Sequence, residues 1–327
     1  MEETSIRKAA AGTLFPAAAG MTMLLVVLMT AVAEWTGERE VLFPEITALA
    51  VGAWLAPRQV WKVDRPRLVG LIALCSVGGV LIVKTCPLPL GLQLAIAFGL
   101  SQFILLFSGT SFAPLTSAMV LPVLLGTDTW AYPVSAVVMT LLIAVGQFLL
   151  EKRGLREPVD FAPAKPDLRG SLCRPSAFYG RILVAVALLL FAAATPWRFC
   201  AAPPLLVAFV ELTNPACPAR ARPLRTVLLV ALCTLAGSLS RYLLCLVWGL
   251  PLTAAAVAAS LFLLALVYGT KFYFPPAGAM AVLPLLVPET AVATLPAQVL
   301  AGLTLLMLAA RLLFREKAPE ADAKSPA

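Results

Sequence analysis

The sequence predicts an all-α polytopic membrane protein: about twelve membrane segments in two parallel six-segment repeats, each with a nested three-plus-three inverted repeat. Three observations predict this. First, the 327-residue chain is 61% hydrophobic and only 13% charged, where a soluble domain carries about 25% charge and 45–50% apolar residues. Second, its apolar runs are continuous and do not alternate. The stretch from Thr85 to Thr127 carries no charge at all, and a helical span needs about 20 apolar residues. Third, one nine-residue element occurs four times without gaps. The copies are Phe43-Pro-Glu-Ile-Thr-Ala-Leu-Ala-Val51, Phe112-Ala-Pro-Leu-Thr-Ser-Ala-Met-Val120, Ala202-Pro-Pro-Leu-Leu-Val-Ala-Phe-Val210 and Phe274-Pro-Pro-Ala-Gly-Ala-Met-Ala-Val282. Each has proline at its second or third place, or both. Proline fits the first turn of a helix, where its missing N–H leaves no bond unmade.

Taken in order, the first half holds hydrophobic segments at 14–33, 42–56, 67–84, 91–108, 112–126 and 130–149. The second half holds them at 181–196, 200–212, 224–247, 251–268, 274–287 and 293–313. The first segment follows Arg7 and Lys8 and ends Ala31-Val32-Ala33, which imitates a cleavable signal peptide. Leu183 to Ala192 holds the same place in the second half, so 14–33 is read as a retained helix. The second and fifth segments of each half are short and carry the proline element. The first and third copies are offset by 159 residues (202 − 43), the second and fourth by 162 (274 − 112). Gly109-Thr110 matches Gly269-Thr270, Leu88-Pro89-Leu90 matches Leu250-Pro251-Leu252, and Pro122 matches Pro284. A tandem duplication follows: a repeat over 1–150, a linker over 151–180, a second repeat over 181–317 and a disordered tail over 318–327.

Charge gives the expected orientation. Arg58, Lys62, Arg65 and Arg67 share one loop, and Arg220, Arg222 and Arg225 its counterpart. The linker carries Lys152, Arg153, Arg156, Lys165, Arg169 and Arg174, and the tail opens with Arg315 and Lys317. The loop with Glu34, Glu38, Arg39 and Glu40 is net negative. By the positive-inside rule both termini and the linker are cytoplasmic, in a bacterial inner (plasma) membrane. The net charge of +8 then reports orientation and not nucleic-acid binding. In each half the second segment starts from outside and the fifth from inside.

The short segments point to the function. At 1.5 Å per residue each covers roughly 20 Å of a core about 30 Å thick, and matched, proline-interrupted segments mark a transporter's binding site. Four helix starts would favour an anion. Candidate solute-binding residues are Pro44, Thr47, Pro114, Thr116, Ser117, Pro203, Pro204, Lys271, Phe274, Pro275, Pro276 and Gly278. The alternatives are that the hydroxyls bond the preceding turn and that the small residues serve close packing. Glu45 and Glu211 are candidates for proton coupling, with Arg220 or Arg222 a plausible partner for Glu211. Lys84 and Arg241 either line an outer vestibule or snorkel to the interface. Cys75, Cys86, Cys173, Cys200, Cys217, Cys233 and Cys245 form no CxxC pair and the chain has no histidine, so no metal or haem is expected. A disulfide between Cys86 and Cys245, which hold matching places, is one option. No catalytic motif is visible, so no enzyme and no cofactor are expected.

The run Phe274-Pro-Pro-Ala-Gly-Ala-Met-Ala-Val-Leu-Pro-Leu-Leu286 resembles the HPP family of integral membrane proteins, named for a His-Pro-Pro motif followed by small residues. Pro203-Pro204 through Phe209 to Pro215, Pro218 and Arg222-Pro223 resembles that family's earlier segment. The similarity covers mainly 181–313, with a weaker copy in 14–149. Phe274 stands where the family has histidine, and the chain holds two family-like units where the family usually has one. The resemblance implies membrane transport, since some plant members are implicated in nitrite transport. The proline-started helices followed by a basic loop and the stretch Arg67 to Gly79 are similar, more loosely, to aromatic-acid and fusaric-acid exporters. Those carry a sizeable cytoplasmic domain that this sequence does not show.

The expected function is secondary transport of a small solute, foremost a small anion such as nitrite or an organic acid, by alternating access at a midplane site between the four short helices. Aromatic-acid efflux and a non-transporting scaffold or sensor are the alternatives. The expected partners are the solute and the bilayer, with the oligomeric state open and a monomer among the options.

Overall fold

The computed structural model describes residues 2–159, 161–162 and 175–314, with side chains described from Leu14 and, past the linker, from Phe178. The side chains of Arg7 and Lys8 are thus not described. Cys173, the linker residues Lys165, Arg169 and Arg174, and the tail with Arg315, Lys317 and 318–327 lie outside the described residues.

All regular structure among the described residues is helical. The first helix, α1, spans Glu2–Thr36 and so begins before the expected 14–33 segment; the alanine-rich stretch ahead of Leu14 continues it, as strong helix formers do. Helix α2 covers Glu45–Ala50 and runs on as a π-helical stretch, Val51–Leu55. Helix α3 covers Arg65–Thr85, with the Asp64 carboxylate accepting from Arg67 N–H at 3.3 Å and Pro66 in the first turn. Helix α4, Leu90–Ser108, stops at Gly109, and α5, Leu115–Leu125, stops at Gly126; both glycines take the left-handed conformation that ends a helix. Next come α6 (Ala131–Lys152), α7 (Pro175–Ala194) and α8 (Pro203–Leu212). Helix α9, Pro223–Ser240, widens into a π-helical stretch, Arg241–Val247. The last three are α10 (Leu252–Thr270), α11 (Pro275–Val282, continued by the 3-10 turn Leu283–Leu285) and α12 (Leu295–Leu313).

Among the described residues, seven stretches are long and apolar enough to cross a bilayer, as expected of an integral membrane protein. They are Leu14–Thr36, Arg65–Thr85, Leu90–Ser108, Ala131–Lys152, Pro223–Val247, Leu252–Thr270 and Leu295–Leu313. Their outward faces carry exposed leucine and phenylalanine, among them Leu74, Leu100, Phe107, Leu261 and Leu308. Such a surface suits lipid and not water.

The short helices are inside. Every residue of α2 and its π-helical continuation is buried, as is every residue of α11 and its 3-10 turn. Helices α5 and α8 are buried over nearly their whole length. They touch one another: α2 packs on α11, α11 on α8 and α8 on α5. A Ser117–Glu45 hydrogen bond joins α5 back to α2. The long helices surround this ring in corresponding ways. As α3 packs on α5 and α6, so α9 packs on α11 and α12; as α4 packs on α7, so α10 packs on α1.

Glycine sets two of these approaches. A Cβ on Gly79 would run into the Met119 carbonyl oxygen and the Pro122 ring, and one on Gly237 into the Ala281 carbonyl oxygen and the Pro284 ring. Only glycine lets α3 and α9 ride this close to the backbones of α5 and α11.

The last carbonyls of each short helix have no following turn to donate to them and need donors from elsewhere. Arginine supplies the donors at all four. Arg156 Nη1 donates to the Trp54 and Ala56 carbonyls beyond α2 (3.1 and 2.9 Å). Arg198 donates to the Leu124 carbonyl of α5. Arg220 reaches the Leu212 and Thr213 carbonyls of α8 at 3.3 and 3.4 Å. Arg241 bonds the Pro284 and Val287 carbonyls beyond α11. The six described cysteines are free thiols, so Cys86 and Cys245 form no disulfide here.

Candidate functional site

The ring of short helices brings most of the predicted residues together. Pro44 and Pro114 sit at the N-caps of α2 and α5, and Pro203, Pro204, Pro275 and Pro276 occupy the first turns of α8 and α11; all are buried. Phe274 is the N-cap of α11 and is buried as well. Gly278 lies directly against α2: a Cβ there would come within 2.8 Å of the Thr47 carbonyl carbon and oxygen. The fifth residue of one copy of the element therefore meets the fifth residue of another. The approach is backbone to backbone, and the centre is closely packed at this point.

Polar side chains collect around the same starts. Ser117 Oγ donates to Glu45 Oε1. Gln102 on α4 donates from Nε2 to Thr116 Oγ1 at 3.1 Å and to Ser101 Oγ at 3.2 Å. Ser101, Gln102, Thr116 and Ser117 are fully buried and Glu45 is 1% exposed. The second Glu45 oxygen, Oε2, and the Gln102 carbonyl oxygen have no hydrogen-bond partner. Thr47 takes the other course weighed for the hydroxyls, bonding back to the Pro44 carbonyl at 2.9 Å. Tyr132 on α6 closes one flank, its hydroxyl donating to the Ala118 carbonyl at 3.1 Å and its ring set edge-on to Phe43.

Other candidates lie apart from this cluster. Lys271 is exposed, with a left-handed backbone at the end of α10, and its ammonium sits 3.7 Å from the Tyr268 ring centroid and 5.6 Å from that of Phe15. Lys84 is also exposed, over the Trp130 ring at 5.5 Å, a cation–π contact at the end of its helix. Arg241 is the surprise: it is 2% exposed and turned inward onto the end of α11, so it neither snorkels nor faces a vestibule. The π-helical stretch that begins at Arg241 is a local departure of the kind often found at functional positions.

Glu211 does not pair with Arg220 or Arg222. Its Oε1 accepts from the Trp61 indole N–H at 2.8 Å, while Arg220 is taken by carbonyls, including that of Phe314. Sequence reasoning missed Trp61. Its ring lies so close to Gly52 that a Cβ there would collide with it, and it stands edge-on to Phe112 with centroids 5.5 Å apart. It wedges α2, the start of α5 and the end of α8 together. The available signal was a tryptophan inside a basic loop, which composition alone does not distinguish. Trp61→Phe keeps the ring and removes only the donor. The expected loss is about 0.5–1.5 kcal/mol, the net worth of a typical hydrogen bond, read as a lower unfolding midpoint in detergent; an unchanged midpoint would show that the bond adds no net stability.

A cavity of about 350 Å³ lies outside the ring, between α9 and α10, lined by Arg225, Leu228, Leu229, Leu232, Leu266, Thr270 and Phe272. Its leucines include lipid-facing ones, Leu228 and Leu232. Among the described residues, no group of histidine, cysteine or carboxylate side chains could hold a metal ion. No family model matches the chain, and no curated protein and no solved structure matches it either.

Proposed function

We propose that the chain is a secondary transporter, a permease for a small anion, working by alternating access at the ring of short helices. The observation that carries the reading is the buried polar cluster of Glu45, Ser117, Thr116 and Gln102 at the starts of these helices. A chain so apolar has no packing need for a carboxylate there, and ionisable groups at depth mark pathways. The proposed architecture is two parallel six-segment repeats with nested inverted repeats. The corresponding packing of α1–α6 and α7–α12 supports it, as do the matched Gly79 and Gly237 approaches and the four arginine-ended short helices. In this arrangement both termini and the linker face the cytoplasm. Arg156 and Arg220, which come from basic stretches, end α2 and α8 on that side, and Arg198 and Arg241 end α5 and α11 on the other.

The two halves touch inside the ring at α2 against α11 and α5 against α8. Rocking about these contacts would open the polar cluster to one side at a time. Guanidinium groups stand at both ends of the ring, so an anion approaching from either side meets positive potential. Lys271 and Lys84 belong to the two mouths in this scheme and not to the solute site itself. The resemblance to the HPP family makes nitrite the first probe.

The test is a flux screen in proteoliposomes with nitrite, small carboxylates and aromatic acids, with and without a proton gradient. The expected result is saturable anion uptake that protein-free vesicles lack. Uptake of cations with no response to any anion would reverse the charge assignment. A second reading, a non-transporting scaffold or sensor, draws on the tight Gly278–Thr47 approach; absence of flux for every solute would favour it.

A further inference from the structure

We infer that Glu45, and not Glu211, is the residue that carries the coupling proton, and that it is held as the neutral acid while α2 and α5 are joined through Ser117. The inference rests on the transporter reading and deepens it by naming the coupling site and the sequence of events.

The geometry separates the two carboxyls. Glu211 is half-buried and accepts the Trp61 N–H at 2.8 Å, at the end of α8 and beside the basic loop. Glu45 is 1% exposed and has a single side-chain donor, the Ser117 hydroxyl, on Oε1. Its Oε2 is without a partner. An ionised carboxylate in that position would leave a full charge held only by the Ser117 hydroxyl and its own backbone N–H, out of reach of water, a greater penalty than one unpaired polar atom. The surroundings offer no counter-charge. The titratable group that interacts with Glu45 is Tyr132 on α6, whose hydroxyl donates to the Ala118 carbonyl, and Tyr132 in turn meets Cys75 on α3. The packed lengths of α5 and α11 carry no ionisable residue, and Glu34 of α1 is exposed, accepting from the Leu252 and Thr253 backbone N–H groups and from the Thr253 hydroxyl.

The consequence for transport is a fixed order. A neutral Glu45 leaves the cluster without negative charge, so an anion is tolerated beside Ser117, Thr116 and Gln102. Loss of the proton places a carboxylate where the anion sits, and the two repel. Proton and anion therefore enter and leave together. With Ser117 donating to Oε1, the proton sits on the unpartnered Oε2, and it can reach water only when the two halves part at the α2–α11 and α5–α8 contacts.

The experiment is infrared spectroscopy of the purified full-length protein in lipid vesicles, titrated in pH, alongside nitrite and proton fluxes in the same vesicles. At neutral pH the wild type is expected to show a carboxylic-acid C=O stretch. Glu45→Gln, close in shape and neutral, should lose it, and Glu211→Gln should keep it. Ser117→Ala should move the band to higher frequency, which tests the assignment even if Glu45→Gln fails to fold. In flux, Glu45→Gln should lose gradient-driven accumulation at least tenfold while retaining downhill exchange. A neutral-pH band that survives Glu45→Gln or does not move in Ser117→Ala, or the absence of such a band in the wild type, overturns the inference. A band that behaves as expected in a protein moving no solute leaves the proton site standing and removes the transporter reading instead.

Discussion

Gly278→Leu is expected to abolish anion flux and to destabilise the protein more than any other single change in the short helices. A mere Cβ at this position would come within 2.8 Å of the Thr47 carbonyl and 3.0 Å of the Ala48 nitrogen. Both neighbours are backbone inside a buried helix, so no flexible side chain can yield. Helices α2 and α11 would have to part, and the polar cluster beside them would lose its registration. Overpacking in a well-filled core costs about 1–3 kcal/mol, so Gly278→Ala should fall in that range and Gly278→Leu at or above its top. The control is Gly99→Ala on α4, where an added Cβ meets nothing within 4 Å; in a helix interior that change should be neutral or stabilising. The measurements are the unfolding midpoint in detergent and nitrite flux in proteoliposomes. A Gly278→Ala protein with the wild-type midpoint would show that the two helices are free to separate here, and the idea of a tight junction would have to go. A stable Gly278→Leu protein with undiminished flux would place the transport path elsewhere.

The membrane class and the helix starts were legible in the sequence because each rests on a local cause. Continuous apolar runs have one stable outcome in lipid, and proline without its N–H can sit in the first turn but not deeper. The starts at Glu45, Leu115, Pro203 and Pro275 follow from that chemistry alone. The Thr116, Ser117 and Glu45 side chains could be nominated for a common site because they ride on the same short elements. What was not legible depends on how distant residues meet. Gln102 sits mid-span on a neighbouring helix with nothing in the sequence to pair it with Thr116, and that bond makes it part of the cluster. Glu211 was expected to find an arginine in its own loop, yet an indole across the ring reaches it first. Trp61 carries no motif. The arginine that ends each short helix comes from a different stretch of chain in each case, so no spacing rule announces the set. A hydropathy argument sees an arginine near a span end and sends it to the interface; it cannot see unpaired carbonyls waiting inside.

Arg241 tests that last point most directly. Its guanidinium is buried at 2% exposure and donates to the carbonyls of Pro284 and Val287. Those carbonyls lie beyond a helix whose final turn has tightened to 3-10 geometry at Leu283–Leu285. The Pro284 and Val287 carbonyls come after the last full turn, with no following turn of helix to donate to them, so a donor from elsewhere is needed. Arginine answers both requirements: several donors in one rigid fork, and a positive charge facing the negative end of a helix. Arg241→Ala should therefore lower stability by about 2–4 kcal/mol, because two buried acceptors lose a charged donor at once. Arg241→Lys should recover part of this and no more, since a single ammonium on a flexible stem cannot hold the fork geometry. Arg198→Ala, which strands one bonded carbonyl at a half-buried position, should cost less than Arg241→Ala. The three variants are compared by unfolding midpoint in one detergent at one salt concentration. A surface-seeking arginine would behave differently: lysine would replace it fully, and alanine would cost a few tenths of a kcal/mol at most. Full rescue by lysine would overturn the capping account and return Arg241 to the interface. Partial rescue, with Arg198→Ala the milder change, is the pattern that capping requires.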